Sequence, residues 1–240
     1  MSIRTSLSLK TFVSVTVLLL AATAILAACS SNSSGTATAS SSSSTSSSTT
    51  AGSPGSGASN ARSGPASGGA SGTVTSVSTS GFTLTTAAGQ NVTVDEDAST
   101  TYQNGTSSTS ASGITTGENV LVLGMTNGTT ITATQVIVQP AGSGGSAASS
   151  AAGVVPFQQG APTTSKQIGQ IPANYTEGSG TIVSGTTANK ATEAALAAYP
   201  GGVVDRVVQL SNGEYEVHNI GVNWPHHIFV NQDFTVVGAD

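Results

Sequence analysis

Residues 30–70 read SSNSSGTATASSSSSTSSSTTAGSPGSGASNARSGPASGGA, and no apolar side chain in that run is larger than alanine or proline. Such a segment cannot offset its ordering entropy by burial. The sequence therefore predicts a disordered tether over 29–71 and confines the folded parts to residues 72–240. A Gly/Ser-type coil of that length spans roughly 35 Å on average. The rest of the composition is nearly as restrictive. Charged residues make up 7% of the 240 residues, with six Lys plus Arg and a net charge of −5. So few cations cannot neutralise a run of phosphates, which excludes nucleic acid as a partner. They cannot form a polybasic membrane patch either.

Ahead of the tether, Arg4 and Lys10 flank the start of an apolar run over 11–28, which ends Leu26-Ala27-Ala28-Cys29. A short positive region, an apolar core and small residues before a cut site define a secretory signal. The sequence Leu-small-small-Cys closing that signal resembles the bacterial lipoprotein signal. The resemblance implies a signal peptide over 1–28, cleavage before Cys29 and a diacylglyceryl thioether on Cys29. It also implies export, with the chain anchored to the outer face of the membrane. Two or more acyl chains hold a protein stably where one does not. Cys29 is the single cysteine, so no disulfide framework stabilises the chain.

From residue 72 the pattern changes. Val74 and Val77, Phe82 and Leu84, and Val92 and Val94 alternate with hydroxyl residues in three runs. Two more runs, ENVLVLGM and TTITATQVIVQ, flank Asn127-Gly128, a strong hairpin signal. Thr and Val at this density favour strands. Several short strands without a helical pattern predict a small barrel or sandwich over 72–139. The phrases GTVTSVSTSGFTLTT, ITTGENVLVLG and TNGTTITATQVIV resemble a bacterial domain-of-unknown-function family. The fold that this resemblance implies is an OB-like barrel. OB folds often bind nucleic acids or sugars on one face. Residues 72–138 contain no Lys or Arg, and their aromatics are Phe82 and Tyr102, which disfavours a nucleic-acid face.

Residues 140–179 are again rich in Gly, Ser and Ala, and composition predicts a low-complexity linker between two independent folding units. After it, TANKATEAALAAYPGG carries helix punctuation, with a polar start near Thr187 and a Pro-Gly-Gly stop. VVDRVVQL, EYEVHNI, HHIFV and FTVVG then read as strands, with turns at Ser211-Asn212-Gly213 and Asn231-Gln232-Asp233. A helix followed by a four-strand meander is an α+β arrangement. ATEAALAAYPGG, VVDRVVQLSNGEYEVHNI and IFVNQDFTVVG together resemble the PepSY domain family, over 180–240. The resemblance implies an exported regulatory role, with an envelope protein or a peptidase as partner. The expected fold class is thus a mainly β, OB-like N-terminal barrel with an α+β, PepSY-like C-terminal domain, joined by disordered segments.

The histidines are confined to the second unit. Alternation in EYEVHNI puts Glu216 and His218 on one face, away from Tyr215 and Val217. If Ile228 and Val230 face the core, His227 joins that same face and meets His218 across neighbouring strands. His226 is its sequence neighbour. These residues form a candidate zinc or copper site of His218, His226, His227 and Glu216, although the spacing matches no compact ligand motif. The contrasting reading has Asn223-Trp224-Pro225 making a turn, Trp224 closing the core edge and the imidazoles bonding nearby backbone. No Gly-x-Ser-x-Gly and no Walker loop occurs, and no residue is singled out as catalytic. No cofactor is expected. The sequence predicts a non-catalytic binding or regulatory lipoprotein of the cell envelope, with the membrane as partner through lipid on Cys29. A metal-binding lipoprotein and a structural envelope protein are the alternatives.

Overall fold

The computed structural model describes residues 64–143 and 145–240. The signal peptide, Cys29 and the tether as far as residue 63 lie outside the described residues. All described residues fall in one compact unit, and it is mainly β.

Seven strands come first: β1 (Ala66–Val77), β2 (Gly81–Thr86), β3 (Asn91–Asp95), β4 (Thr101–Asn104), β5 (Ser107–Thr109), β6 (Asn119–Asn127) and β7 (Thr130–Gln139). Gly128 takes φ 61° and joins β6 to β7 at the Asn127-Gly128 turn, as hairpin chemistry dictates. Pairing runs β1–β2–β3–β7–β6, and β6 pairs back onto β1, so five strands close a ring. The β3–β7 contact is parallel and the others are antiparallel. Closure removes edges that a sparsely charged surface would otherwise expose. Val74, Phe82, Leu84, Val92, Val94 and Ile131 fill the interior.

The remaining elements are α1 (Ser146–Ala152), β8 (Val155–Pro156), β9 (Ile168–Gly169), β10 (Thr181–Ile182), α2 (Gly185–Ala198), β11 (Val203–Gln209), β12 (Tyr215–Ile220), β13 (Val222–Trp224), β14 (His227–Val230) and β15 (Val236–Ala239). Strands β11, β12, β14 and β15 form an antiparallel meander. Helix α2 buries Ala188, Ala191, Thr192, Ala195 and Leu196, a stripe at helical spacing that packs on the meander.

The two halves share both sheet and core. Gly69 and Ala70 of β1 pair with β6 on one side and with Val204 and Val203 of β11 on the other. Val203 belongs to the interior of the ring, whereas Leu121 and Leu123 of β6 belong to the core under α2. That is why the run Val120-Leu121-Val122-Leu123 is apolar at every position: both faces of β6 are covered.

Composition places boundaries near 71, 140 and 179, and the strand pairing runs across all three. Strand β1 starts at Ala66, inside the stretch expected to be tether, and Ala66, Ser67, Ala70 and Ser71 are buried. Small side chains mark close backbone approach here, not disorder. The stretch expected to be a linker is a strap: β8 pairs with β13, β9 pairs with β15, and Ile171 and Tyr175 pack against Val208, Leu210 and Phe229. Limited proteolysis of the full chain is accordingly expected to nick the exposed loop around 157–163 while the two halves stay together on native gel filtration. Separate elution of fragments near 72–138 and 180–240 would restore the two-unit reading.

Candidate functional site

The site is built on the face of the meander opposite α2. Tyr215 and Val217 of β12, with Ile228 and Val230 of β14, enter the core under the helix. Alternation therefore turns Glu216, His218, His227 and Phe229 to the other face. The antiparallel register sets His218 directly opposite His227 and Glu216 opposite Phe229. A bulge in β11 between Val204 and Arg206 aims Asp205 at His218. His226 occupies the bend between β13 and β14, where its backbone N–H and that of His227 donate to the Asp240 carbonyl at 2.8 and 3.0 Å.

Each imidazole is held through its Nδ1 atom. His218 Nδ1 lies 2.6 Å from Asp205 Oδ1. His227 Nδ1 lies 2.7 Å from Glu216 Oε1, and His226 Nδ1 lies 3.2 Å from the Asn219 backbone oxygen. Each ring faces an oxygen acceptor at Nδ1, a carboxylate for His218 and His227 and a carbonyl for His226, and a proton on Nδ1 answers that contact. His218 Nδ1 also has the Arg206 Nη1 donor at 3.1 Å. Arg206 Nη1 stands 3.6 Å from Asp205 Oδ1 and adds charge to that pair. The Tyr175 hydroxyl lies 2.9 Å from His227 Nδ1. Burial, and then the charge of Glu216, push the Tyr175 phenol well above its usual range. Burial pulls His226 below the ordinary imidazole range; the Asn219 carbonyl opposes this, and the nearby His218 and His227 reinforce it.

The three rings line a cleft of about 380 Å³ together with Trp224, Glu177 and Asp240. Ring centroids are 5.3 Å apart for His218 and His227, and 6.4 Å for each of the other two pairs. Among the described residues, no three His, Cys, Asp or Glu side chains stand as a ready metal-holding group. Glu216, grouped with the histidines on sequence, is fully buried behind His227 and acts on its Nδ1. Cys29 lies outside the described residues. A larger cavity of about 550 Å³ lies on the far side of Tyr175, between Asn174 and Asn212, and Tyr175 is the sole ionisable side chain in its lining.

The segment 222–224 is a strand paired with β8, not the turn expected from Asn-Trp-Pro. Trp224 is 1% exposed and sits under the strap. Its indole N–H donates to the Lys166 carbonyl at 2.7 Å, the Lys166 ammonium lies 4.1 Å from the ring centroid, and Tyr199 meets it edge-on at 5.4 Å. Sequence reasoning missed Asp205, Asn219 and Tyr175. The Asp205-Arg206 pair inside the otherwise apolar VVDRVV run was the available signal, because buried charges are paired. Tyr175 gave none, since it reaches His227 across 52 residues.

Comparison with protein-family models, curated proteins and solved structures returns no match for this chain.

Proposed function

We propose that this chain is an exported, lipid-anchored, non-catalytic binding protein of the bacterial cell envelope, with its binding site at the imidazole-lined cleft. The observation that carries the binding half is the cleft itself. Three rings on two strands and a bend are each fixed by a hydrogen bond at Nδ1, which leaves their Nε2 edges for a ligand. Binding sites are typically concavities with a few oriented polar groups among apolar ones, and Trp224 and Ile220 supply the apolar part here. The anchoring half rests on Leu26-Ala27-Ala28-Cys29 at the end of the apolar run.

In finer terms, we read the five-strand ring as an OB-like barrel and α2 with its meander as a PepSY-like unit. The parallel β3–β7 contact that closes the ring supports the first reading. The helix packed across β11, β12 and β14 supports the second. On this view the barrel is a platform, spliced through β1 to the unit that carries the cleft.

Two measurements test the proposal. In a bacterial host, a palmitate analogue should label the full chain and leave Cys29→Ala unlabelled; equal labelling of both would remove the lipid anchor. Native mass spectrometry of the chain purified from its own envelope should show a retained species that His227→Ala reduces. Identical spectra for wild type and variant would remove the cleft as the binding site.

A further inference from the structure

We infer that the cleft binds one borderline divalent transition-metal ion, zinc or copper, through the Nε2 atoms of His218, His226 and His227. The inference rests on the cleft being the binding site and names its ligand.

Proton placement decides what the rings can offer. Neutral imidazole has one N–H and one lone pair, and which nitrogen holds which is set by the hydrogen bond on the other side of the ring. The nearest partner of each Nδ1 is a pure acceptor, Asp205 Oδ1 at 2.6 Å, Glu216 Oε1 at 2.7 Å and the Asn219 carbonyl at 3.2 Å. The Arg206 Nη1 donor is farther from His218 at 3.1 Å, and the Tyr175 hydroxyl is farther from His227 at 2.9 Å. All three Nε2 atoms therefore present lone pairs when the rings are neutral. Metal-ligating histidines almost always donate their other N–H to a carboxylate or backbone carbonyl, which fixes ring orientation and raises basicity. A single such pair is common in any core; three on adjacent rings around one cleft is the supporting half of a three-histidine site.

The spacing agrees with a site that closes on its ion. Three imidazoles around a tetrahedral ion, with metal–nitrogen bonds of about 2.0–2.1 Å, place their ring centroids roughly 5 Å apart. His218 and His227, at 5.3 Å, already meet that value. Their positions are fixed by the direct cross-strand register. The three do not form a ready group as they stand; His226 stands 6.4 Å from each of the others, so a three-ring site needs it to travel about 1 Å. His226 is also the one ring carried by a bend and not a strand, and its anchor at 3.2 Å is the longest of the three.

Nitrogen donors without thiolate suit zinc and copper, and copper binds the tighter of the two at a given nitrogen site. Asp205 and Glu216 are positioning residues. Each acts on the ion only through the histidine it holds.

Titration of the full chain in detergent with Zn²⁺ alone, and separately with Cu²⁺ alone, decides the matter by calorimetry. One equivalent of at least one ion should bind. His226→Gln should weaken it at least tenfold, and His218→Ala with His227→Ala should abolish it. Asp205→Asn should weaken binding about 10- to 100-fold, the usual cost of losing such a partner, while near-ultraviolet circular dichroism shows the fold intact. Nitrogen-15 spectra of the metal-free chain should report Nδ1–H tautomers for all three rings, with the Nε2 resonances moving on metal addition. Undiminished binding in the double variant, or no binding of either ion, overturns the site. A retained species that contains no metal but still depends on His227 would sink the metal and leave the binding role standing.

Discussion

Gly68→Ala is expected to destabilise the protein by at least about 3 kcal/mol, near the upper end of what overpacking costs. Gly68 lies in the ASGGASG run of β1, where it pairs with Gly124 of β6. A Cβ built on it would sit 2.0 Å from the Val204 carbonyl oxygen of β11 and 3.0 Å from Thr126 Oγ1. Neither side offers room. The first obstacle is backbone, which cannot rotate away as a side-chain tip can. To admit one methyl group, β1 and β11 must separate at the seam where the ring joins the meander. That separation would open the pairing of Gly69 and Ala70 with Val204 and Val203, along with the packing of Val203 in the ring. Gly64→Ala is the control, because nothing lies within 4 Å of the corresponding Cβ. It should cost nothing, or stabilise by a few tenths of a kcal/mol through the unfolded chain. Urea unfolding of both variants reads the difference, and equal midpoints would show that the seam is soft.

The same glycine explains where the sequence misleads. A run without large apolar side chains reads as unable to order itself, because burial of such side chains usually supplies the stabilisation. Buried strands have a second source. Where neighbours approach on both sides, backbone hydrogen bonds and close contact replace side-chain burial, and small residues are then required. Nothing local marks ASGGASG as a strand, since what calls for small residues there lies in the distant residues Val122 and Val204. The strap escapes notice for the same reason. Its anchors, Tyr175 and Lys166, are single residues whose partners are distant.

Local chemistry fares better. Asn127-Gly128 and Ser211-Asn212-Gly213 are legible as turns because positive φ at Gly128 and Gly213 is a property of one residue. The alternation in EYEVHNI and HIFV is legible because period two follows from the pleat, and it brings Glu216, His218 and His227 to one face. What alternation cannot assign is a role within that face. Glu216 looks like a ligand beside the histidines and is instead buried behind one of them. Asp205 holds a comparable place because of a bulge that no sequence period announces.

Trp224→Ala should cost about 3–5 kcal/mol, the range for removing a fully buried aromatic, and it should also release the strap. Trp224 heads the fully buried side chains by volume, and the domain has few others of its size to compensate. Its loss leaves a cavity bounded by Tyr199, whose ring stands edge-on to the indole, and by the strap. It also removes the N–H that satisfies the Lys166 carbonyl and the ring face under the Lys166 ammonium. Two effects should therefore appear together: a lower unfolding midpoint and faster proteolysis around Lys166. Trp224→Phe separates them. It refills most of the volume but has no N–H for the Lys166 carbonyl, so it should recover much of the midpoint while the strap stays labile. The cleft is downstream of both changes, because Trp224 forms its wall and precedes His226 by only two residues. A Trp224→Ala variant that unfolds at the wild-type midpoint and protects Lys166 as the wild type does would show that the strap is held from elsewhere, with the tryptophan a passenger beneath it.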